Sequence, residues 1–426
     1  MPRFVIHYRK KDKLKYIIWT ELFLVCFVGF FVDVFGIPSI IKYSIDLLNT
    51  VLGFYIINKL IRQKKAEKST QIILLLVGLF MLLSFVFWIP NAGDPVLLLW
   101  GARNTFRFLV FFVACILFLD MGTIEKMLGK LNLLIIINFL ICVIEFAAMG
   151  YSGDYIGGGF GISQGCNAPL NVLLVIVTIY NAIKYTNKDN SLLKTVIYIG
   201  LCSGIAGMAE LKVYVVEVVL VIAIVGAFSK GFLKKTIIVI VGLVFSIVSI
   251  HLIEYLIPGW EGFFTFRNMY NMVSASSGYT NSGDLNRLTS ISGLNQLFFG
   301  HSINWIGFGL GNCEYSDSFS FLNSTFSQKY WYLHYAWFSV AKIYLELGWF
   351  GIVASLSVWG YTLYTALRKL KSSREHKILV AAISIMAIFF FFYNFTMNLD
   401  AAYLVYAVLA IAYIYLKRPS MGGNND

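Results

Sequence analysis

Apolar stretches long enough to cross a hydrocarbon core of about 30 Å, roughly 20 helical residues each, recur along nearly the whole of this 426-residue chain. They predict an all-α integral membrane protein of about twelve transmembrane helices. The expected spans are near 17–36, 38–58, 71–89, 104–120, 132–149, 168–185, 192–209, 213–229, 236–256, 348–367, 378–395 and 399–416. Most connections are short or moderate, as a compact single domain over 1–426 requires. The connection at 257–347, between the ninth and tenth helices, is far longer, and ordered loops of that size usually carry function.

Composition changes inside that long segment. Ser274 to Asp284 is rich in Ser, Asn, Gly and Thr, Leu285 to Phe299 is amphipathic, and Gly307, Gly309 and Gly311 alternate with other residues. Tyr330 to Leu347 is crowded with Trp, Tyr and Phe and contains Lys342 and Glu346, so it is expected at the membrane interface or as a re-entrant helix.

With 58% hydrophobic and only 13% charged residues, the chain is solvated mainly by lipid. The net charge of +12 does not point to nucleic acid, because most of the 34 Lys and Arg residues fall in alternate loops. Arg9, Lys10, Lys11, Lys13 and Lys15 precede the first span, and Arg62, Lys64, Lys65 and Lys68 follow the second. Lys230, Lys234 and Lys235, then Arg368, Lys369, Lys371 and Arg374, continue the pattern. The positive-inside rule puts these loops and both termini in the cytoplasm and the long segment outside. The first apolar run follows basic residues as a signal peptide does, but it is too long and has no small-residue cleavage site, so it is expected to be retained.

Cys26, Cys115, Cys142 and Cys202 fall in spans, where a thiol is a small packing residue. Cys166 and Cys313 both fall on the outer side, where a disulfide between them is an open alternative. The loop from Gly150 to Pro169, GYSGDYIGGGFGISQGCNAP, is not a nucleotide cradle, since it lacks the preceding strand and the cytoplasmic cofactor supply. Its glycines suit tight turns that dip toward the membrane.

Ionisable residues in or at the ends of spans are costly and therefore informative. Arg103 and Arg107 share a helical face at the expected outer end of span four, as membrane anchors or as an anion site. Glu210 and Lys212 sit in MAELKVY between spans seven and eight, either as a structural ion pair or as site residues. Glu145 and Glu217 lie deeper and need partners that the sequence does not name. Arg287 lies in the amphipathic stretch and His334 at the aromatic edge, while His251 suits packing within span nine and His7, His301 and His376 read as surface residues. No metal-ligand spacing, Gly-Lys-Ser phosphate loop or Ser nucleophile elbow is present, so neither metal nor other cofactor is expected, and any phosphate chemistry would rest on fixed cations.

Taken in order, these features resemble the O-antigen ligase and polysaccharide polymerase superfamily, multispan proteins with one long outer loop late in the chain. Four places carry the resemblance: the Gly-rich run Gly158 to Asn167; AELKVY, where Lys212 replaces the family's usual Arg; Arg287 followed by LFFGHSINWIGFGLGN; and His334 followed by Glu346, Gly348 and Gly351. Lys acts there as a point charge rather than a bidentate fork.

The resemblance implies a bacterial inner (plasma) membrane protein that transfers a saccharide from undecaprenyl pyrophosphate to a sugar hydroxyl at the outer leaflet. Its catalytic residues would be His334, Arg287 and Lys212, with Arg103, Arg107, Glu210 and Glu346 binding substrate. The expected partners are the lipid-linked oligosaccharide and membrane lipid, with a chain-length regulator and a flippase as candidates. Within the superfamily, a repeat-unit polymerase is favoured over a ligase that moves the finished chain to a lipid core or protein. The rival from another class is a multispan transporter or flippase, against which stands the lack of two related halves.

Overall fold

The computed structural model describes residues 2–62, 67–228, 244, 248, 266–275, 278, 280, 283–300, 302–316, 318–370 and 373–417, with side chains from residue 13 onward except at 266, 268, 269 and 272. The expected ninth span, apart from positions 244 and 248, lies outside these residues. So do Lys64, Lys65, Lys230, Lys234, Lys235, His251, His301 and Lys371, and the side chains of His7, Arg9, Lys10 and Lys11.

The described residues form no strand. The helices are α1 (Pro2–Phe35), α2 (Ser44–Arg62), α3 (Lys68–Trp88), α4 (Pro95–Phe118), α5 (Met121–Ala147), α6 (Asn167–Thr186), α7 (Leu192–Met208) and α8 (Lys212–Phe228), followed by α9 (Phe266–Ser274), α10 (Ser290–Phe298), α11 (Thr325–Tyr330), α12 (Ser339–Lys369), α13 (Arg374–Tyr393), α14 (Ala402–Leu409) and α15 (Ile411–Leu416). Eight helices among the described residues are long and apolar enough to cross a membrane: α1 to α6, α12 and α13. The apolar stretches Leu192–Met208 and Ala402–Leu416 are shorter.

Helix ends meet in two groups. At one end of the bundle Lys15 pairs with Asp120 (2.5 Å), Lys184 with Glu375 (2.8 Å), and the Arg374 guanidinium donates to the Phe228 carbonyl (2.6 Å). At the other end Arg107 pairs with Asp400 (2.8 Å), and the Asn167 amide donates to the Ala209 carbonyl (3.1 Å). These contacts join the ends that the alternating charge pattern groups together.

Span four differs from expectation at its start. Asp94 accepts the Val96 N–H (2.8 Å) and Pro95 occupies the first turn, so capping chemistry begins the helix at Pro95 rather than 104. Arg103 and Arg107 therefore stand about two and three turns inside α4, not at its end.

The Gly-rich loop dips into the bundle. A Cβ on Gly29 of α1 would lie 1.9 Å from the Phe160 carbonyl oxygen, so only glycine permits this approach. Irregular backbone at this depth survives because its N–H groups are satisfied by protein. Glu145 accepts from Gly158 (3.0 Å), Asn138 from Gly159 (2.9 Å), and Asp33 from Ile162 (3.0 Å) and Ser163 (3.2 Å). The other deep acid, Glu217, receives the Asn171 amide on both oxygens (3.0 and 2.8 Å).

α12 begins at Ser339, so the second half of the expected interfacial stretch is already helix. It breaks at Gly348 (φ 60°, ψ −154°), and residues 304–309 fill the break. Phe308 donates to the Leu345 carbonyl (2.7 Å) and Gly309 to that of Glu346 (2.9 Å). In return Trp349 donates to Asn304 (2.9 Å) and Phe350 to Trp305 (3.0 Å). The groups that lost helical partners are thereby paired again.

Candidate functional site

The end of the bundle that holds the Gly-rich loop and the α7–α8 turn also holds four of the expected site residues, Glu210, Lys212, Arg287 and His334. α7 closes with Leu211 donating to the Ala206 carbonyl (2.9 Å) and Glu210 to that of Gly207 (3.2 Å), which leaves Glu210 left-handed at φ 52°. The turn aims the Glu210 carboxylate at Gly153, where an added Cβ would lie 3.1 Å from it. The neighbouring Asp154 is exposed and accepts from the Asn167 amide (2.8 Å).

Lys212 follows directly, just outside the expected span. Burial pushes its amine down to about 8, with Glu210 and Asp154 opposing and Arg287 adding to the fall. Burial likewise pushes the Glu210 carboxyl above its ordinary range; Lys212 opposes that shift and Asp154 reinforces it. Lys212 and Arg287, far apart in sequence, are thus close enough to feel each other's charge.

Arg287 lies over the Tyr393 ring (4.8 Å) and over the Phe338 ring (5.9 Å), contacts that a guanidinium favours over an ammonium. Leu285 donates to the Leu333 carbonyl (3.0 Å), which lays the Arg287 segment beside the turn carrying His334. His334 is also left-handed (φ 50°), and its half-buried ring stacks on Trp337 at 3.9 Å and 10° between planes. Trp331 meets it edge-on at 6.0 Å. Non-glycine residues rarely adopt φ > 0. Among the described residues only Lys188, Glu210 and His334 do, and the last two belong to this cluster.

The other four expected binding residues divide. Glu210 belongs to the cluster, as given above. Arg103 pairs with Asp46 and lies over Trp100 (4.6 Å); Arg107 pairs with Asp400 (2.8 Å) and lies 3.8 Å from Asp46. Both guanidinium groups are thus held by carboxylates within the bundle. Glu346 is fully buried and accepts from the Cys313 N–H (3.3 Å). Beside it Lys342 pairs with Glu314 (2.6 Å), whose second oxygen accepts from Asn104 (2.8 Å). This places Glu346 beneath the Gly307–Gly311 turn, as a support for it.

Cys166 and Cys313 are both free and buried; the Cys166 thiol faces the Asp154 carbonyl (3.4 Å). The described residues contain no group of three His, Cys, Asp or Glu side chains that could hold a metal ion.

Sequence reading passed over Asp154, Asp46, Asp400 and Glu21. Glu21 is completely buried in α1, and neither carboxylate oxygen has a hydrogen-bond partner among the described residues. Its position within an expected span was the available signal, as was that of Asp46. Asp154 had no such signal, because its importance comes from the α7–α8 turn folding against it.

No protein-family model matches the chain, and no curated protein is significantly similar to it.

Proposed function

We propose that this protein is a polymerase of lipid-linked oligosaccharide repeat units, a membrane glycosyltransferase of the O-antigen ligase and polysaccharide polymerase type. The donor is a saccharide on undecaprenyl pyrophosphate, and the acceptor is a sugar hydroxyl at the outer leaflet. The observation that carries this reading is the backbone bond from Leu285 to Leu333 that lays the Arg287 segment beside the His334 turn, with Lys212 in electrostatic range of Arg287.

As the anomeric C–O bond breaks, negative charge grows on the departing pyrophosphate. Fixed cations in a low-dielectric site stabilise that charge more in the transition state than in the ground state. Arg287 and Lys212 serve this role. The acceptor oxygen forms the new bond to the anomeric carbon, and the His334 imidazole takes its proton. Stacking on Trp337 holds the ring in place for that transfer. Arg103 and Arg107 enter only where a substrate phosphate displaces Asp46 or Asp400.

The test is to delete the gene in its host and complement with wild type, His334→Ala or Arg287→Ala at equal membrane levels. Accumulation of single lipid-linked repeat units in both variants supports polymerisation, whereas long lipid-linked chains indicate a ligase. Normal polymer from both variants removes the site and returns transport to the front.

Transport is the second reading because of Glu21. A buried carboxylate in electrostatic range of Arg107, Asp46 and Asp400, together with the broken α12, resembles the interiors of ion-coupled transporters. Substrate uptake by proteoliposomes that is lost in Glu21→Gln would favour it.

A further inference from the structure

The left-handed position that closes α7 is one that glycine fills best, since it alone adopts this conformation without a Cβ penalty. This chain places Glu210 there, half-buried and with Lys212 two residues on. The other described α-helix that closes with a left-handed non-glycine residue, α6 with Lys188, does so at the opposite end of the bundle. A charged residue kept against local preference beside a cationic cluster needs a reason outside the turn.

Phosphate binding does not supply one, because Glu210 and the exposed Asp154 oppose the charge of Lys212 that would attract a pyrophosphate. Carboxylates do suit the neighbouring part of a glycosyl donor. Sugar hydroxyls and amides are hydrogen-bond donors, and ionised carboxylates are strong, acceptor-only partners. The same charges disfavour an acidic sugar, which would bring a third carboxylate into the site.

Resting on the reading of the site given above, we propose that Glu210 and Asp154 form its sugar-recognition half. They take the hydroxyl or amide hydrogens of the ring attached to the pyrophosphate, and they select neutral or N-acetylated sugars over uronic acids there.

The test uses the full-length protein in nanodiscs with lipid-linked repeat units bearing either a neutral sugar or a uronic acid next to the pyrophosphate. Wild type, Glu210→Gly, Glu210→Gln and Arg287→Ala are compared for polymer yield, KM and melting temperature. Glu210→Gly should melt no lower than wild type, because it relieves the turn, yet lose at least about tenfold in kcat/KM on the neutral unit. Wild type should reject the uronic acid unit, and Glu210→Gln should narrow that discrimination.

If Glu210→Gly polymerises like wild type while Arg287→Ala is inactive, the inference fails and the polymerase reading stands. If Arg287→Ala is also fully active, that reading fails and takes the inference with it. A Glu210→Gly protein that melts well below wild type gives Glu210 a structural role and overturns the proposal, as does wild-type use of the uronic acid unit.

Discussion

Gly309 and Glu346 are joined through their backbones, the N–H of the first donating to the carbonyl of the second over 2.9 Å. This bond belongs to the joint at which residues 304–309 enter the break in α12. It explains why an alternating-glycine run and a Glu-x-Gly run occur in one chain. Gly307 packs against the carbonyl groups of Leu345 and Glu346, while Gly348 packs against Trp305, so neither run has room for side chains at these positions.

Replacing Gly348 with alanine should break that joint. Its φ of 60° disfavours any L side chain, and the new Cβ would lie 2.5 Å from the Trp305 carbonyl carbon. Left-handed strain and overpacking together should cost about 2–4 kcal/mol. Thermal unfolding in detergent should show a melting temperature several degrees lower. An unchanged melting curve would mean that the break is not needed.

Glu145→Ala should destabilise the re-entrant loop while leaving its glycines intact. The buried Gly158 N–H would lose its acceptor, at a cost of about 1–3 kcal/mol. Cleavage of the 150–166 loop by an added protease should accelerate. Glu145→Gln, which retains a carbonyl acceptor, should recover most of the protection.

The pH profile should report Lys212. Burial holds its amine at about 8, so the charge that attracts phosphate is present below that pH and disappears as pH rises through it. Polymer formation by wild type should therefore fall above about pH 8. Lys212→Arg, charged throughout, should keep activity to higher pH, by at least about one unit. Identical profiles for the two proteins would exclude Lys212 from the rate-limiting chemistry.

Removal of divalent metal should leave turnover intact. The proposed charge stabilisation uses Arg287 and Lys212, and a diphosphate leaving group stabilised by fixed cations needs no further Lewis acid. Polymerisation assayed in membrane vesicles with excess chelator should match the untreated rate. Loss of turnover that returns with added metal would reject the fixed-cation account.

By itself the sequence determined the membrane character and most of the helices, because about 20 consecutive apolar residues have few stable fates other than a buried helix. It also grouped the helix ends: Lys15, Lys184 and Arg374, which belong to basic or same-side segments, make contacts within one end of the bundle. Capping chemistry at Asp94 and Pro95 was legible too, but hydropathy alone placed the start of that helix too late. Tertiary structure decided what lies across from what. It gave Glu145 the backbone of Gly158 and Glu217 the amide of Asn171, set Arg103 and Arg107 against Asp46 and Asp400, and brought Arg287 within electrostatic range of Lys212. The physical reason is that hydrophobic periodicity is a local property of the chain, whereas the partner of a buried charge is chosen by helices that meet only when the bundle packs.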